Sequence, residues 1–514
     1  MTESEVVVGT GPVTFDDVVA VARRDGQVVI SPEALDAVAA SRVHIEALAE
    51  RPTPVYGVST GFGALATRHI PHQMRTQLQR SLIRSHAAGA GAEVEREVVR
   101  AMMLLRLSTL ASGRTGVRTE TAQAYADLLS AGLTPVVYEY GSLGCSGDLA
   151  PLAHVALAVM GEGHVRTAEG VLKPSAEAMA EHGLAPVTFA EKEGLALING
   201  TDGMLGQLVL ALTDLENLFR LADIAAAMSV EGQLGTDRVF ADDLQRLRPH
   251  PGQAASAANI RRVLSDSAIV ASHRGDDCTR VQDAYSLRCS PQVAGAARDT
   301  ADHARVVAER ELASVIDNPV ITPDGRVESN GNFHGAPVAY VLDFLSIVVA
   351  DLASISERRT DRFLDAARNH GLNPFLADDP GVDSGQMITQ YTQAAIVSEL
   401  KRLAAPASTD SIPSSAMQED HVSMGWSAAR KLRRGIDGLT QVLAIEVLNA
   451  ARGIELRGPL TPAPGTAAVI AALREHVQGP GGDRYLAPEI AAVTELARSG
   501  ALVRAAESAA GALS

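Results

Sequence analysis

The chain has 514 residues, 46% of them hydrophobic and 21% charged, enough for a large core and for one big or two moderate domains. A net charge of −16 argues against a nucleic-acid partner, and simple solubility accounts for the acidity. Aromatics make up only 4%, and an apolar content dominated by Ala, Leu and Val favours close-packed helices over a sandwich or barrel.

The N-terminal Met-Thr-Glu-Ser-Glu is acidic and lacks the basic-then-apolar pattern of a signal peptide, so a cytoplasmic location is expected. A short strand over residues 27–30 precedes a helix that starts after Ser31-Pro32. Residues 54–63, Pro-Val-Tyr-Gly-Val-Ser-Thr-Gly-Phe-Gly, space their glycines by four and predict a mobile loop. Within this region Gly61-Phe-Gly-Ala-Leu-Ala66 imitates a dinucleotide fingerprint. The acidic residue required about 20 positions on is missing, since residues 81–86 read Ser-Leu-Ile-Arg-Ser-His. His86 lies at a helix end before a Gly/Ala-rich break, where a histidine is more often structural than functional. Residues 96–110 predict an amphipathic helix ended by Gly113, and residues 135–140 an extended piece.

Residues 141–154 read Gly-Ser-Leu-Gly-Cys-Ser-Gly-Asp-Leu-Ala-Pro-Leu-Ala-His. Their centre is Cys145-Ser146-Gly147, and Gly147 has no Cβ to stop the backbone folding back on itself. Attack of the Gly147 nitrogen on the Cys145 carbonyl carbon would close a five-membered ring. Loss of the Ser146 hydroxyl as water would then leave a methylidene electrophile, which ordinary side chains do not supply. The tripeptide alone reads more plainly as a turn into a helix, with Ser146 or Asp148 as N-cap and Pro151 in the first turn.

Asn199 precedes a long helical pattern over residues 204–234, where a capping role is the commoner one. Gln282, Tyr285 and Arg288 are spaced by three, so on a helix they would form one ridge. An amide, a phenol and a guanidinium suit an amino-acid carboxylate as well as they suit a solvated face. Residues 331–334, Gly-Asn-Phe-His, open a helix running to about residue 364. Its most apolar run is broken by Asp343 and Asp351 and predicts a buried core helix rather than a membrane span; Phe333 on its own reads as core. Residues 378–403 are again expected to be helical, and residues 406–415 to be an irregular connector. Gln418-Glu-Asp-His421 puts two acids beside a histidine, but no second cluster at ligand spacing accompanies it, so no metal is expected. A carboxylate in an apolar setting, such as Glu419, can instead serve as a base. Three cysteines without a C-x-x-C pair argue against a disulfide scaffold and a zinc site. A Pro-rich stretch at 460–464 leads to terminal helices, and no internal repeat is visible.

Six of these stretches resemble, in order, the motifs of the aromatic amino acid ammonia-lyase family. Residues 56–63 match YG-x-x-TGFG, 141–152 match GS-x-GASGDLAPL, and 193–201 match KEGLALLNGT after its lysine. Residues 282–289 match QDAYS-x-R-C, 331–334 match GNFH, and 418–421 match QEDH. The resemblance runs from about residue 10 to the region of residues 479–488, and is nearest to the histidine-specific actinobacterial branch.

It implies a mainly α fold of the ammonia-lyase and fumarase-aspartase type. Residues 1–200 would carry the lid and the ring, 201–455 a bundle of long helices, and 456–514 helices packed on that bundle. It implies a methylidene-imidazolone (MIO) prosthetic group made autocatalytically from Cys145-Ser146-Gly147, with no metal or external cofactor. Cys145 stands where alanine is usual, and the ring uses only its backbone. The implied reaction is conversion of L-histidine to trans-urocanate and ammonia, the electrophile making the substrate amine a better leaving group. Tyr56 would be the base on the lid, and Glu419 would orient the imidazole and share base duty. Arg288 would hold the carboxylate, and Asn199, Gln282 and Tyr285 would support the ring and amine. Phe333 would pack on the substrate, and His86 marks members that bind histidine. Family members are homotetramers with sites shared between subunits; neither nucleic acid nor membrane is an expected partner.

A tyrosine or phenylalanine lyase or aminomutase would share the ring, but Glu419 argues against it, because phenylalanine members carry an amide there. A fumarase-type lyase would need a GSS-x-MP-x-K-x-N loop that is absent. A non-catalytic helical assembly whose ring never forms is the third possibility. Residues 400–405 read Leu-Lys-Arg-Leu-Ala-Ala where many members carry Glu-Asn-Lys and a histidine.

Overall fold

Among the described residues four helices exceed 20 residues: Asp202–Gly232, Ser290–Leu312, Ala336–Leu364 and Gly425–Glu455. The computed structural model describes residues 5–275, 278 and 281–514; residues 1–4 of the acidic N-terminus, 276–277 and 279–280 lie outside the described residues. The fold is mainly α, and among the described residues short two- and three-stranded sheets are confined to the first 175 residues and to 320–328. The chain divides into two compact units; four of the five divisions fall within the long helices, and the fifth, after Ala405, follows the Met387–Leu403 helix.

The first unit comprises Met1–Leu210, Arg305–Asp343 and Pro406–Arg430. It begins with a parallel pair, Glu5–Val8 against Gln27–Ile30, joined through the Phe15–Arg24 helix. Thr14 and Asp17 close a capping box at the start of that helix. Ser31 caps the next helix, Pro32–Ala49, with Pro32 in its first turn, as the sequence predicts.

The Arg96–Ala111 helix departs from its amphipathic expectation, because it is buried on nearly every side. Its polar positions are internal as well. Arg100 donates to the carbonyls of Val21 and Leu129, and Arg106 to those of Ala196 and Ile316 and to Asp202. A guanidinium tolerates burial when carbonyls and a carboxylate replace its water. Periodicity sees the arginines as surface, whereas the fold uses them as ties between segments far apart in sequence.

The second unit comprises Ala211–Ala304, Phe344–Ala405 and Lys431–Ser514. Its helices are locked around buried Glu446, which accepts hydrogen bonds from Ser229, Ser356 and Arg359. Two expectations are corrected here. Residues 378–386 are irregular and the helix starts only at Met387, because Gly381 and Gly385 take positive φ beside Pro380. The ridge at 282–288 is also not one helix. Asp283 accepts the Thr236 amide at 2.7 Å and Ala284 is extended, so the helix is only Tyr285–Arg288.

Among the described residues Ala336–Leu364 is long and apolar enough to cross a membrane by length and composition. Most of its apolar window is buried within the structure, and Asp343 accepts the backbone amides of Ala407 and Ser408.

Candidate active site

The Gly141–His154 stretch is a turn into the Leu149–Val159 helix, tied down from several distant segments. The Gly144 carbonyl accepts from Ser423 Oγ at 2.8 Å and from the Gly335 amide at 3.0 Å. The Leu143 carbonyl accepts the Met424 amide, and the Asp148 amide donates to the Gly200 carbonyl at 2.7 Å. Gly147 has φ +75°, and a Cβ there would stand 2.1 Å from the Gly200 oxygen. Only glycine fits that position, for reasons of both conformation and space.

Asp148 occupies the N-cap position, but its side chain does not cap its own helix. The carboxylate accepts Ser142 Oγ at 2.8 Å and the Met204 amide at 2.9 Å, so it serves the start of the Asp202–Gly232 helix instead. Burial pushes it up to about 7. Asn199 lies three residues before Asp202, outside the cap position of that helix. Its Nδ2 donates to the Ser146 carbonyl at 2.7 Å, beside the predicted ring.

Above the turn is a cavity of about 470 Å³, lined by side chains from six segments. Tyr56, His86, Ser146, Asn199 and Glu419 all face it, so the structure brings together five of the residues singled out in the sequence. The apolar walls are Phe62, Leu65, Leu78, Leu82, Leu149 and Leu195. Phe333 is in the same unit but not on the lining, although Gly335, directly after its motif, reaches the turn. Gln282, Tyr285 and Arg288 belong to the second unit. There Arg288 donates to Gln282 Oε1 at 2.8 Å, and its guanidinium lies 4.7 Å from the centre of the Tyr285 ring.

Glu419 is held by its own loop. Ser414 and Glu419 exchange backbone hydrogen bonds across a tight turn, and Ser415, Ala416 and Met417 all take positive φ. Left-handed backbone at such residues costs about 1 kcal/mol or more each, so the turn is strained to aim the carboxylate. Oε1 accepts Ser146 Oγ at 3.1 Å; Oε2 accepts Cys145 Sγ at 3.1 Å and Ser414 Oγ at 3.2 Å. Burial and that hydrogen bond push the Cys145 thiol up to about 12.

The Tyr56 phenol accepts the Gly63 amide at 3.4 Å. Burial lifts it above the usual tyrosine range, the Gly63 N–H partly offsets this, and the Glu419 charge adds to it. His86 Nδ1 lies 2.9 Å from the Leu82 carbonyl, which makes it the protonated nitrogen and leaves Nε2 an acceptor. Burial lowers its pKa, so the ring is neutral. The cavity therefore offers two acceptors, Glu419 and His86 Nε2, to a donor-bearing substrate. Among the described residues no group of three or more His, Cys, Asp or Glu side chains is arranged to hold a metal ion.

Ser414 and Asn318 were not singled out by sequence reasoning. Ser414 sits in an irregular connector and Asn318 in the loop after the Ser290–Leu312 helix, and neither spacing carries a signal.

The aromatic amino acid lyase profile matches residues 13–475. The chain is 66% identical to a histidine ammonia-lyase of Streptomyces avermitilis, covering 99% of each chain. It superimposes on the crystal structure of a histidine ammonia-lyase from Trypanosoma cruzi with a TM-score of 0.90 and 37% identity, covering 98% of this chain and 95% of that one. A tyrosine aminomutase from Streptomyces globisporus gives a TM-score of 0.92 at 36% identity, covering 98% and 99%.

Proposed function

The chain belongs to the aromatic amino acid lyase family, and on that premise we propose that it deaminates L-histidine to trans-urocanate and ammonia, the first step of histidine degradation to glutamate. The observation that carries the substrate assignment is the Glu419 carboxylate, held on the same cavity as Ser146 and the neutral imidazole of His86. An imidazole N–H gives that carboxylate a donor from the cavity side, and a phenyl ring gives it none.

The prosthetic group is a methylidene-imidazolone formed from Cys145, Ser146 and Gly147. The residues fit it: Gly147 is packed against Gly200 with no room for a Cβ, and Asn199 already donates to the Ser146 carbonyl, which such a ring retains. The ring supplies the electrophile that turns the substrate amine into a leaving group.

The chain's own residues do the rest. Asn199 polarises the Ser146 carbonyl through its 2.7 Å hydrogen bond. Glu419 accepts the imidazole N–H and fixes the plane of the substrate ring. Tyr56, across the cavity, takes the β-proton at its phenolic oxygen when ionised, a form that grows more abundant as pH rises toward its raised pKa. The leucines that line the cavity exclude water, which strengthens both interactions.

Arg288, Gln282, Tyr285 and Phe333 complete the site in a homotetramer, where sites combine residues from several copies. Arg288 holds the substrate carboxylate there. Two features support an assembly. Tyr285 is 71% exposed in the single chain, and Tyr340, Phe344 and Ile347 form an exposed apolar stripe at helical spacing on Ala336–Leu364. The working location is the cytoplasm.

The test compares histidine, tyrosine and phenylalanine on one preparation, following urocanate, coumarate and cinnamate. Histidine should lead in kcat/KM by at least about 10-fold, the scale of one hydrogen bond to a charged group. Comparable kcat/KM for tyrosine and histidine would overturn the substrate assignment and leave the family standing.

A further inference from the structure

Among the described residues three side-chain donors reach the Glu419 carboxylate, and they divide unequally between its oxygens. Ser146 Oγ alone occupies Oε1, whereas Cys145 Sγ and Ser414 Oγ both donate to Oε2. Cys145 is 6% exposed, and its thiol stays protonated, so it remains a donor throughout the neutral range.

The Ser146 hydroxyl is also the oxygen that ring formation removes. Closure joins the Gly147 nitrogen to the Cys145 carbonyl carbon, and that carbonyl oxygen leaves as water with the amide hydrogens of Ser146 and Gly147. A second water takes the Ser146 hydroxyl and its α-hydrogen. Neither water carries away a donor to Oε2.

Resting on the function proposed above, we infer that Cys145 and Ser414 are positioning residues that clamp Oε2 of Glu419, so that maturation uncovers Oε1 for the substrate imidazole without letting the carboxylate turn. Maturation and substrate recognition are thereby linked through one side chain. The hydroxyl that fills the imidazole's place in the immature chain is the one consumed in making the ring. The thiol at position 145 has a purpose that an alanine, equally able to form the ring, would lack. With alanine there, Oε2 would keep only Ser414, and the terminal carboxylate torsion, which is soft, would be free to swing.

The test uses the full chain in two settings. In a Ser146→Ala background no ring forms and Oε1 has lost its hydroxyl partner, so binding is read without turnover. Titration calorimetry with urocanate should show affinity about 10-fold weaker on adding Cys145→Ala, the scale of one lost hydrogen bond to a charged group. Adding Cys145→Ser, which restores a donor, should recover most of it, and adding Ser414→Ala should weaken binding like Cys145→Ala. In the mature enzyme, Cys145→Ala should cut kcat/KM more for histidine than for phenylalanine, mainly through KM, with intact mass showing the ring complete. Unchanged urocanate affinity in Cys145→Ala, or Cys145→Ser as weak as Cys145→Ala, overturns the clamp. If the unmutated enzyme fails to turn over histidine, the functional reading falls and the clamp falls with it. Normal histidine turnover with an inert Cys145→Ala change removes the clamp alone.

Discussion

Replacing Glu419 by glutamine keeps the shape of the side chain and removes its charge. The donors Cys145 Sγ and Ser414 Oγ hold whichever atom sits at the Oε2 position, so they select the amide oxygen there. The amide NH2 then faces the cavity as a donor where the imidazole N–H needs an acceptor. The substrate must turn its ring or leave its N–H unpaired. Either way a charge-assisted hydrogen bond is lost, about 1.5–3 kcal/mol, which is roughly 10–100-fold in kcat/KM for histidine. Phenylalanine offers neither donor nor acceptor, so its much lower kcat/KM should change by less than about 3-fold. Initial rates of urocanate and cinnamate formation on matched preparations decide it, with intact mass confirming an equally complete ring in both. An equal fall for both substrates would mean that Glu419 acts on the ring or the fold and does not read the imidazole. No fall for histidine would remove it from the site.

Three further outcomes follow from the same geometry. Tyr56→Phe should lower kcat far more than it raises KM. Because burial and Glu419 hold the phenol above its ordinary range, the base form grows in with rising pH; the pH–rate profile should rise on its alkaline side in the native enzyme, flatten in Tyr56→Phe, and move to lower pH in Glu419→Gln. Gly147→Ala should give a chain of full unprocessed mass, since a Cβ would press to 2.1 Å from the Gly200 oxygen at φ +75°; a processed alanine variant by mass spectrometry would show the turn to be more pliable than its packing. Arg106→Met should leave buried Asp202 without its guanidinium, a loss of about 3–5 kcal/mol, read as a lower Tm in differential scanning fluorimetry; an unchanged Tm would mean the pair is idle.

The helical class and the candidate residues were legible because they depend on local pattern. Long apolar runs predict the Asp202–Gly232 and Ala336–Leu364 helices, and the Ser31-Pro32 cap is visible in two letters. What escaped depends on contacts across the sequence. Arg100 and Arg106 look like surface until carbonyls from far along the chain are seen around them. Asp148 looks like a cap for its own helix, yet its carboxylate is taken by the amide of Met204. Gln282 shares a spacing with Tyr285 and Arg288 that a helix would exploit, but the bond from Thr236 to Asp283 keeps Gln282 out of one. Within the site, Tyr56, Asn199 and Glu419 were readable because each lies in a distinctive motif, and His86 only through the family resemblance. Ser414 was not, since only the paired turn between 414 and 419 brings its hydroxyl to the carboxylate.

The claim on which everything else rests is that Cys145-Ser146-Gly147 becomes an electrophilic ring. Its most direct measurement is the intact mass of the purified chain beside that of the Ser146→Ala variant, followed by peptide mapping. The account predicts a native chain lighter than its sequence by two water molecules, with the deficit confined to the peptide bearing residues 145–147. The Ser146→Ala chain should lack the methylidene and lose histidine turnover by at least about 10³-fold. A native chain of full mass that still makes urocanate would contradict the account outright.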